Sequence, residues 1–338
     1  IAIIRRCEAL KLNAIVFQVR PEGDAFYESG VNPWCTYLTG EQGVKPDWGE
    51  FDPLTWMIDV THKAGIEFHA WFNPYRLTPV VGVNSTKQSL LNSLSETHYA
   101  RRHPDWVYYF NRQIYLDPGV PEVQEFIIAT VMEVAQKYDI DAVHFDDYFY
   151  PSVDVNIDKS EYQKSGYNDL SQFRLDSVSK LISSVYKLIK ENKPEILFGV
   201  SPQGNIDNNY NSQYADVKRW CNEAGFIDYI APQIYYGFNN QTAPYSKTIL
   251  KWQEIITNKN VKLIGGLAAY KIGKVDMNAG NNGQNEWIEE NNILSRQIEE
   301  LSKVNNYGGI IFYRYENLFD IKTEQIKKEI ETIKGILN

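Results

Sequence analysis

The sequence predicts an α/β fold with a parallel sheet, in the pattern of an eight-stranded (β/α)8 TIM barrel. Short runs rich in β-branched and aromatic residues alternate with amphipathic helical segments along the chain. At 338 residues and 43% apolar content, the chain has the length at which such a barrel forms one unit. We therefore expect residues 1–338 to form one barrel domain, with long loops at 21–51, 75–120 and 271–286.

Each predicted strand is followed by a helix. The strands are expected at 13–20, 67–74, 141–148, 196–202, 228–236, 262–270 and 308–315. The helices are expected at 52–64, 121–138, 168–192, 212–223, 245–258, 286–305 and 322–336. A leading helix at 1–11 precedes them, so we expect the first barrel strand to lie upstream of Ile1. An open doubly wound sheet is the alternative, but it usually carries a glycine-rich phosphate turn after its first strand, and none follows Arg20.

Two of the long connections follow strand ends and are rich in aromatic residues. Within 75–120, the runs 108–110 and 113–116 flank Asn111 and Arg112 and predict a β-hairpin. Long ordered loops are uncommon unless they are functional, and loops at the carboxyl ends of barrel strands form the active-site face. Both connections are therefore expected to wall a ligand site.

The segment 141–151 reads as a buried strand that ends in two adjacent carboxylates, Asp146 and Asp147. Because side chains alternate along a strand, His144, Asp146 and Tyr148 are expected to face the barrel interior. Two carboxylates this close cannot both ionise freely when desolvated, so one should have a raised pKa and serve as an acid. The alternative is that one of them caps the next segment or pairs with an arginine.

Polar and aromatic side chains end the other predicted strands and are candidates for ligand binding. Arg20 suits a carboxylate, either from a ligand or from a protein aspartate such as Asp24 or Asp146. Glu316 is a further candidate acid, with helix capping as the alternative. The candidates for substrate binding are Gln18, Arg20, Asp24, Trp71, Asn73, Tyr75, Arg76, His144, Tyr148, Gln233, Tyr235, Tyr236, Tyr270 and Tyr313.

Composition narrows the class of partner. A net charge of −9 argues against nucleic acid or an anionic membrane surface. No apolar run reaches membrane-spanning length. The three scattered cysteines suit neither a disulfide framework nor a zinc site. The 23 tyrosines and 8 tryptophans suit rings that stack on a polar ligand such as a sugar, although core packing or a wet interface would also use them.

No cofactor or metal is expected. The five histidines lack a metal-ligand spacing. His144 and Asp146 could hold a metal, but a histidine hydrogen-bonded inside the barrel is the favoured interpretation. Ser201 lacks the G-x-S-x-G context of a serine nucleophile.

Several motifs together resemble a known family. They are Gln18-Val19-Arg20-Pro21, His69-Ala70-Trp71 with Asn73-Pro74-Tyr75-Arg76, the segment 141–151, Ser201-Pro202, and Ala231-Pro232-Gln233-Ile234-Tyr235. In this order they resemble glycoside-hydrolase-like family ten, the bacterial family 10-like glycosyl hydrolases. The resemblance implies a (β/α)8 barrel in a secreted or envelope-anchored protein. It also implies activity on peptidoglycan strands stripped of their stem peptides, the substrate of a characterised member.

We therefore expect a glycosidase that acts on N-acetylhexosamine-containing cell-wall glycan. Asp146 is the leading catalytic carboxylate, and Asp147 is its partner or the group that sets its pKa. The rival hypothesis is a catalytically silent carbohydrate-binding barrel of the cell envelope, and a metal hydrolase such as a deacetylase is a third. The expected partner is a polysaccharide, the expected state a monomer, and the expected location extracellular or in the envelope.

Overall fold

The computed structural model describes residues 1–321 and 323–337. Lys322, the first residue of the last predicted helix, and Asn338 lie outside the described residues. The strands are β1 (Ala14–Arg20), β2 (Glu67–Phe72), β3 (Val107–Phe110), β4 (Gln113–Leu116), β5 (Ala142–Phe145), β6 (Leu197–Val200), β7 (Tyr229–Ile230), β8 (Lys262–Leu267) and β9 (Tyr307–Phe312).

The helices are α1 (Ala2–Ala9), α2 (Thr36–Thr39), α3 (Pro53–His62), α4 (Lys87–Ser93), α5 (Tyr99–Arg102), α6 (Pro121–Lys137), α7 (Lys159–Ser165), α8 (Leu170–Asn192), α9 (Ile206–Ser212), α10 (Val217–Asn222), α11 (Tyr245–Ile255), α12 (Glu286–Glu289), α13 (Ile293–Leu301), α14 (Tyr315–Phe319) and α15 (Glu324–Leu337). Two short 3₁₀ helices cover Pro104–Trp106 and Ala269–Lys271. Within the described residues, no helix is both long enough and apolar enough to cross a bilayer.

Seven strands form one parallel sheet in the order β1-β2-β5-β6-β7-β8-β9. These are the seven predicted strands in their predicted order, so the α/β class with a parallel sheet is confirmed. The hairpin is confirmed as well, since β3 and β4 pair antiparallel. That a further barrel strand precedes Ile1 stays a prediction.

The residues group into two compact units. The first, called here the Asp146 unit, consists of Ala14–Phe198 and Asn208–Asp216. The second, the Tyr235 unit, consists of Ile1–Asn13, Gly199–Asp207 and Val217–Asn338. The prediction of one barrel domain with long loops stays a prediction, and each unit is described by itself.

In the Asp146 unit, strand register brings three predicted site segments side by side. Gln18 of β1 lies opposite Trp71 of β2, and Trp71 lies opposite His144 of β5. The flanking helices follow ordinary local rules. Helix α6 begins with Pro121 at its first position, where the missing N–H costs nothing. Helix α8 begins after Asp169, whose carboxylate accepts hydrogen bonds from two first-turn N–H groups.

In the Tyr235 unit, β8 pairs in parallel with β7 and with β9. Helix α13 packs against α15, and its first turn is capped from α15. Glu329 accepts hydrogen bonds from the N–H groups of Ile293 at 2.6 Å and Leu294 at 3.3 Å. These orphan donors at a helix start are therefore satisfied by a residue far along the chain.

Two predicted helices are broken, and six of the seven predicted strands end earlier than expected. The helix at 212–223 is replaced by α9 and α10, with Tyr214 in the left-handed region between them at φ 53°. The helix at 286–305 is broken into α12 and α13. The strand at 228–236 shortens to Tyr229–Ile230, because Pro232 has no N–H to donate to a ladder. The strands at 141–148 and 308–315 end at Phe145 and Phe312. The strands at 67–74, 196–202 and 262–270 end at Phe72, Val200 and Leu267.

Candidate active site

The acidic doublet follows a fully buried strand. All four residues of β5 are buried, and the chain leaves the strand at Asp146. Asp146 is buried, with only 3% of its surface exposed, whereas Asp147 is half-buried. The indole N–H of Trp71 donates to Asp146 Oδ2 at 3.0 Å, and the backbone N–H of Tyr148 donates to Oδ1 at 3.4 Å. A tryptophan on the neighbouring strand thus orients the buried carboxyl.

The Asp146 carboxyl has a strongly shifted pKa. It is raised from 3.8 to about 7, chiefly by burial and next by the charge of Asp147. The Arg76 charge and the two N–H donors act in the opposite direction. A carboxyl of this kind is partly protonated at neutral pH, which suits a general acid.

Arg76 lies at the same site. Its guanidinium carbon lies 4.2 Å from the centre of the Tyr148 ring, in a cation–π arrangement. Its backbone N–H donates to Asn73 Oδ1 at 3.1 Å, and its backbone pairs with that of Tyr115. The two predicted binding residues Arg76 and Tyr148 are therefore in direct contact.

Arg20 is buried and bonds to the protein itself. Its guanidinium donates to the carbonyls of Asn73 at 2.5 Å and Pro74 at 3.3 Å, and to the hydroxyl of Tyr99 at 3.0 Å. These contacts hold the loop after β2, and they support a positioning role for Arg20. Asn73 and Tyr75 are fully buried in the same loop. Contacts of these three residues with a sugar stay predictions.

A second pair of acids follows β1. Asp24 is fully buried and accepts a hydrogen bond from Gln42 Nε2 at 3.0 Å, and burial raises its pKa. Glu22 is half-buried, and its pKa is raised to about 7, chiefly by burial and next by the charge of Asp24. Arg76 lowers the pKa of Glu22, as it does that of Asp146. Sequence reasoning named Asp24 but missed Glu22, although its position two residues earlier was a usable signal.

His144 and Gln18 complete the Asp146 unit's candidates. Burial, with a smaller effect of His69, lowers the pKa of His144 to about 3, so its ring is neutral at physiological pH. Gln18 is partly exposed, but its buried Nε2 donates to no described residue. Among residues 1–321 and 323–337, no cluster of three or more His, Cys, Asp or Glu side chains could hold a metal ion.

Three predicted binding residues in the Tyr235 unit form an aromatic group. The Tyr235 ring stacks on Tyr313 with centroids 6.0 Å apart and planes at 22°. Tyr270 meets both rings edge-on, at 5.6 Å from Tyr235 and 6.1 Å from Tyr313. Tyr313 is 36% exposed. Lys271 holds the backbone at Tyr235, since its Nζ donates to the Tyr235 carbonyl at 2.7 Å and to Asp276 at 2.6 Å.

Gln233 and Tyr236 flank this aromatic group in sequence. Gln233 Nε2 donates to the Ser201 carbonyl at 3.2 Å. Tyr236 is half-buried, and Gln297 Nε2 donates to its carbonyl at 2.8 Å. Glu316, the further candidate acid, lies in the first turn of α14 and forms an ion pair with Arg314.

A parallel α/β sheet with a buried carboxyl at the end of a strand is the arrangement on which barrel glycosidases are built. The chain belongs to the family described as Glycosyl hydrolase-like 10, which matches residues 1–289. The resemblance to this family is therefore confirmed.

Two curated relatives are 39% and 34% identical to this chain over most of its length. The chain is 39% identical to glycosyl hydrolase YngK of Bacillus subtilis over 325 residues, covering 88% of this chain and 60% of that protein. It is 34% identical to glycosyl hydrolase DigH of Escherichia coli K12, covering 94% of this chain and 75% of that protein. The chain thus spans well under the full length of these relatives.

Solved structures support the fold. An α-L-fucosidase isoenzyme 2 from Paenibacillus thiaminolyticus aligns with a TM-score of 0.60 at 13% identity, covering 99% of this chain and 45% of the other. The glycoside hydrolase domain of PgaB (BpsB) from Bordetella bronchiseptica aligns with a TM-score of 0.57 at 13% identity, covering 98% and 91%. At this identity the likeness concerns the fold alone.

Proposed function

We propose that this protein is a glycosidase that cleaves N-acetylhexosamine-containing bacterial cell-wall glycan, with strands lacking stem peptides as the preferred substrate. The observation that carries the proposal is the buried Asp146 carboxyl with a pKa near 7, beside Asp147 and hydrogen-bonded to Trp71. Membership of a glycosyl hydrolase-like family supports the reaction class.

Asp146 serves as the general acid that protonates the departing glycosidic oxygen. This step needs a carboxyl that is still protonated at working pH, and burial beside Asp147 supplies it. Asp147 is the partner carboxylate or the group that sets the pKa of Asp146. Carboxyls about 5 Å apart would favour retention of anomeric configuration, and about 6.5–9.5 Å inversion.

The sugar-binding roles follow from side-chain chemistry. The rings of Tyr235, Tyr270 and Tyr313 offer apolar faces to pyranose rings and hydroxyls to their polar groups. Gln18, with a buried amide N–H that has no partner among the described residues, suits an acetamide carbonyl. Because the proposed substrate lies outside the cytoplasm, we also propose an extracellular or envelope location, with a monomer as the working form.

The test is digestion of purified glycan strands from which the stem peptides have been removed. The wild-type protein should release new reducing ends, detected by reduction and mass spectrometry, and Asp146→Asn should release none. The matched control is Asp139→Asn. It makes the same exchange at a residue that precedes β5, and the Asp139 side chain is 95% exposed. The control should keep the wild-type rate.

Three outcomes would count against the proposal. Cleavage by Asp146→Asn at the wild-type rate would remove Asp146 from the mechanism. Binding of the strands by the wild-type protein without any new reducing ends would favour the rival, a carbohydrate-binding barrel without catalysis. Activity lost on chelation and restored by a divalent cation would favour a metal hydrolase instead.

A further inference from the structure

Arg76 carries a positive charge that the described residues leave without an ion pair. No carboxylate among residues 1–321 and 323–337 forms a salt bridge with its guanidinium. Its Nε is buried and has no hydrogen-bond acceptor in the described part of the chain. A buried donor without a partner is costly, and such a group calls for an explanation, commonly a bound water or ligand.

The guanidinium is nevertheless held in place. Its guanidinium carbon lies over the face of the Tyr148 ring, 4.2 Å from the ring centre, and its backbone is fixed by Asn73 and by the pairing with Tyr115. Stacking on a ring face leaves the in-plane N–H groups of arginine available to an acceptor. A planar fork that is immobilised in this way matches the two oxygens of a carboxylate.

The electrostatic surroundings also favour an anion from outside the protein. Arg76 lowers the pKa of both Asp146 and Glu22, so it lies within the electrostatic reach of both carboxyls. Both of these pKa values are nevertheless raised to about 7. Asp146 and Glu22 are therefore partly neutral near pH 7 and offset the guanidinium only in part, while the charge of Asp147 acts on the same group of residues.

We propose that Arg76 binds the free carboxylate of the lactyl ether on N-acetylmuramic acid and thereby selects glycan strands that have lost their stem peptides. This inference rests on the proposed function, because it assigns a specificity-determining residue for that substrate. In a strand that still carries its peptide, the lactyl carbonyl is a neutral amide with one acceptor oxygen. Arg76 would then lose its bidentate partner, and the peptide would have to fit beside Tyr148.

The first experiment compares two forms of one glycan. Denuded strands are prepared with the lactyl carboxylate free, or with that carboxylate converted to its methyl amide. The wild-type protein should cleave the free form with a kcat/KM about 10- to 100-fold higher, the range expected for a hydrogen bond to a charged group. Arg76→Gln should cleave both forms equally, and Arg76→Lys should keep part of the preference.

The matched control is Arg102→Gln, which removes the same charge from an exposed position in α5 of the same unit. This variant should keep the wild-type preference. Equal cleavage of both forms by the wild-type protein would overturn the inference while leaving the proposed function standing. A preference that survives in a folded Arg76→Gln protein would overturn it as well.

A second experiment tests the inference without catalysis. N-acetylmuramic acid and its lactyl methyl amide are titrated separately into the wild-type protein and into Arg76→Gln, and binding is followed by ligand-detected NMR. The wild-type protein should favour the acid by a similar factor, and the variant should not. If the wild-type protein cleaves no glycan, the proposed function fails, whereas this titration still decides whether Arg76 reads a sugar carboxylate. Melting curves establish that each variant is folded.

Discussion

Replacing Asp146 by Asn should abolish cleavage and yet stabilise the protein at alkaline pH. The pKa of Asp146 is 3.8 in an exposed setting and about 7 in the folded protein. Each pKa unit corresponds to about 1.4 kcal/mol, so ionising this buried carboxyl costs the folded state about 4 kcal/mol. Asn keeps an oxygen that can accept the Trp71 hydrogen bond but carries no charge.

The direction in which stability changes with pH follows from proton binding by Asp146. Between about pH 4 and pH 7 the folded protein holds a proton on Asp146 that the unfolded chain has released. The contribution of Asp146 to stability is therefore greatest below the unfolded pKa and declines as the pH rises through the folded pKa. The Asn variant lacks this decline.

Urea denaturation at pH 4.5 and pH 8 measures the difference. The free energy of unfolding of Asp146→Asn should lie about 4 kcal/mol above that of the wild-type protein at pH 8, and within about 1 kcal/mol of it at pH 4.5. Asp139→Asn should follow the wild-type protein at both pH values, because its side chain is exposed. The reasoning is refuted if Asp146→Asn and the wild-type protein differ by the same amount at the two pH values.

Three further changes test the site and its support. Trp71→Phe removes a hydrogen-bond donor that lowers the pKa of Asp146, so the alkaline limb of the pH profile of kcat/KM should move up by about one pH unit. If that limb stays where it is in the wild-type protein, the hydrogen bond has no role in the mechanism. Glu22→Gln should raise the free energy of unfolding at pH 8 but not at pH 4. The gain should be smaller than that of Asp146→Asn, because Glu22 is only half-buried. A lower free energy of unfolding at pH 8 would contradict this prediction. Asp158→Asn leaves the buried Arg174 without its charged partner. The free energy of unfolding, measured by urea denaturation, should therefore fall by about 3–5 kcal/mol. A fall of less than about 1 kcal/mol would show that the pair is not buried in solution.

The sheet and the acidic doublet could be predicted because their signals are local. The run around Val143 and Phe145 is continuously apolar and then turns acidic, and this contrast survives in the structure as a buried strand followed by Asp146. The sequence placed Trp71 at a strand end as a binding candidate, and its hydrogen bond to Asp146 became visible only once β2 and β5 were seen to pair.

The role of Arg20 and the helix break at Tyr214 could not be predicted, because they involve residues that are distant in sequence. Arg20 looks like a ligand-binding arginine until its bonds to carbonyls 53 and 54 residues away are known. The break at Tyr214 also lies at a long-range contact, since the Tyr214 hydroxyl accepts a hydrogen bond from the buried Arg174 at 3.1 Å. Neither partner is visible in a local pattern, so a continuous helix was the natural prediction at 212–223.

The pairing of β8 with β9 bears on how a shortened protein could be made. The family match ends at residue 289, but β9 (Tyr307–Phe312) and the Glu329 cap of α13 lie beyond it. A fragment cut at that limit would leave the amide and carbonyl groups of Lys262–Leu267 as a bare sheet edge, which is a template for self-association. Any truncation intended for crystals or assays should therefore keep the last helix, whatever the sequence boundary suggests.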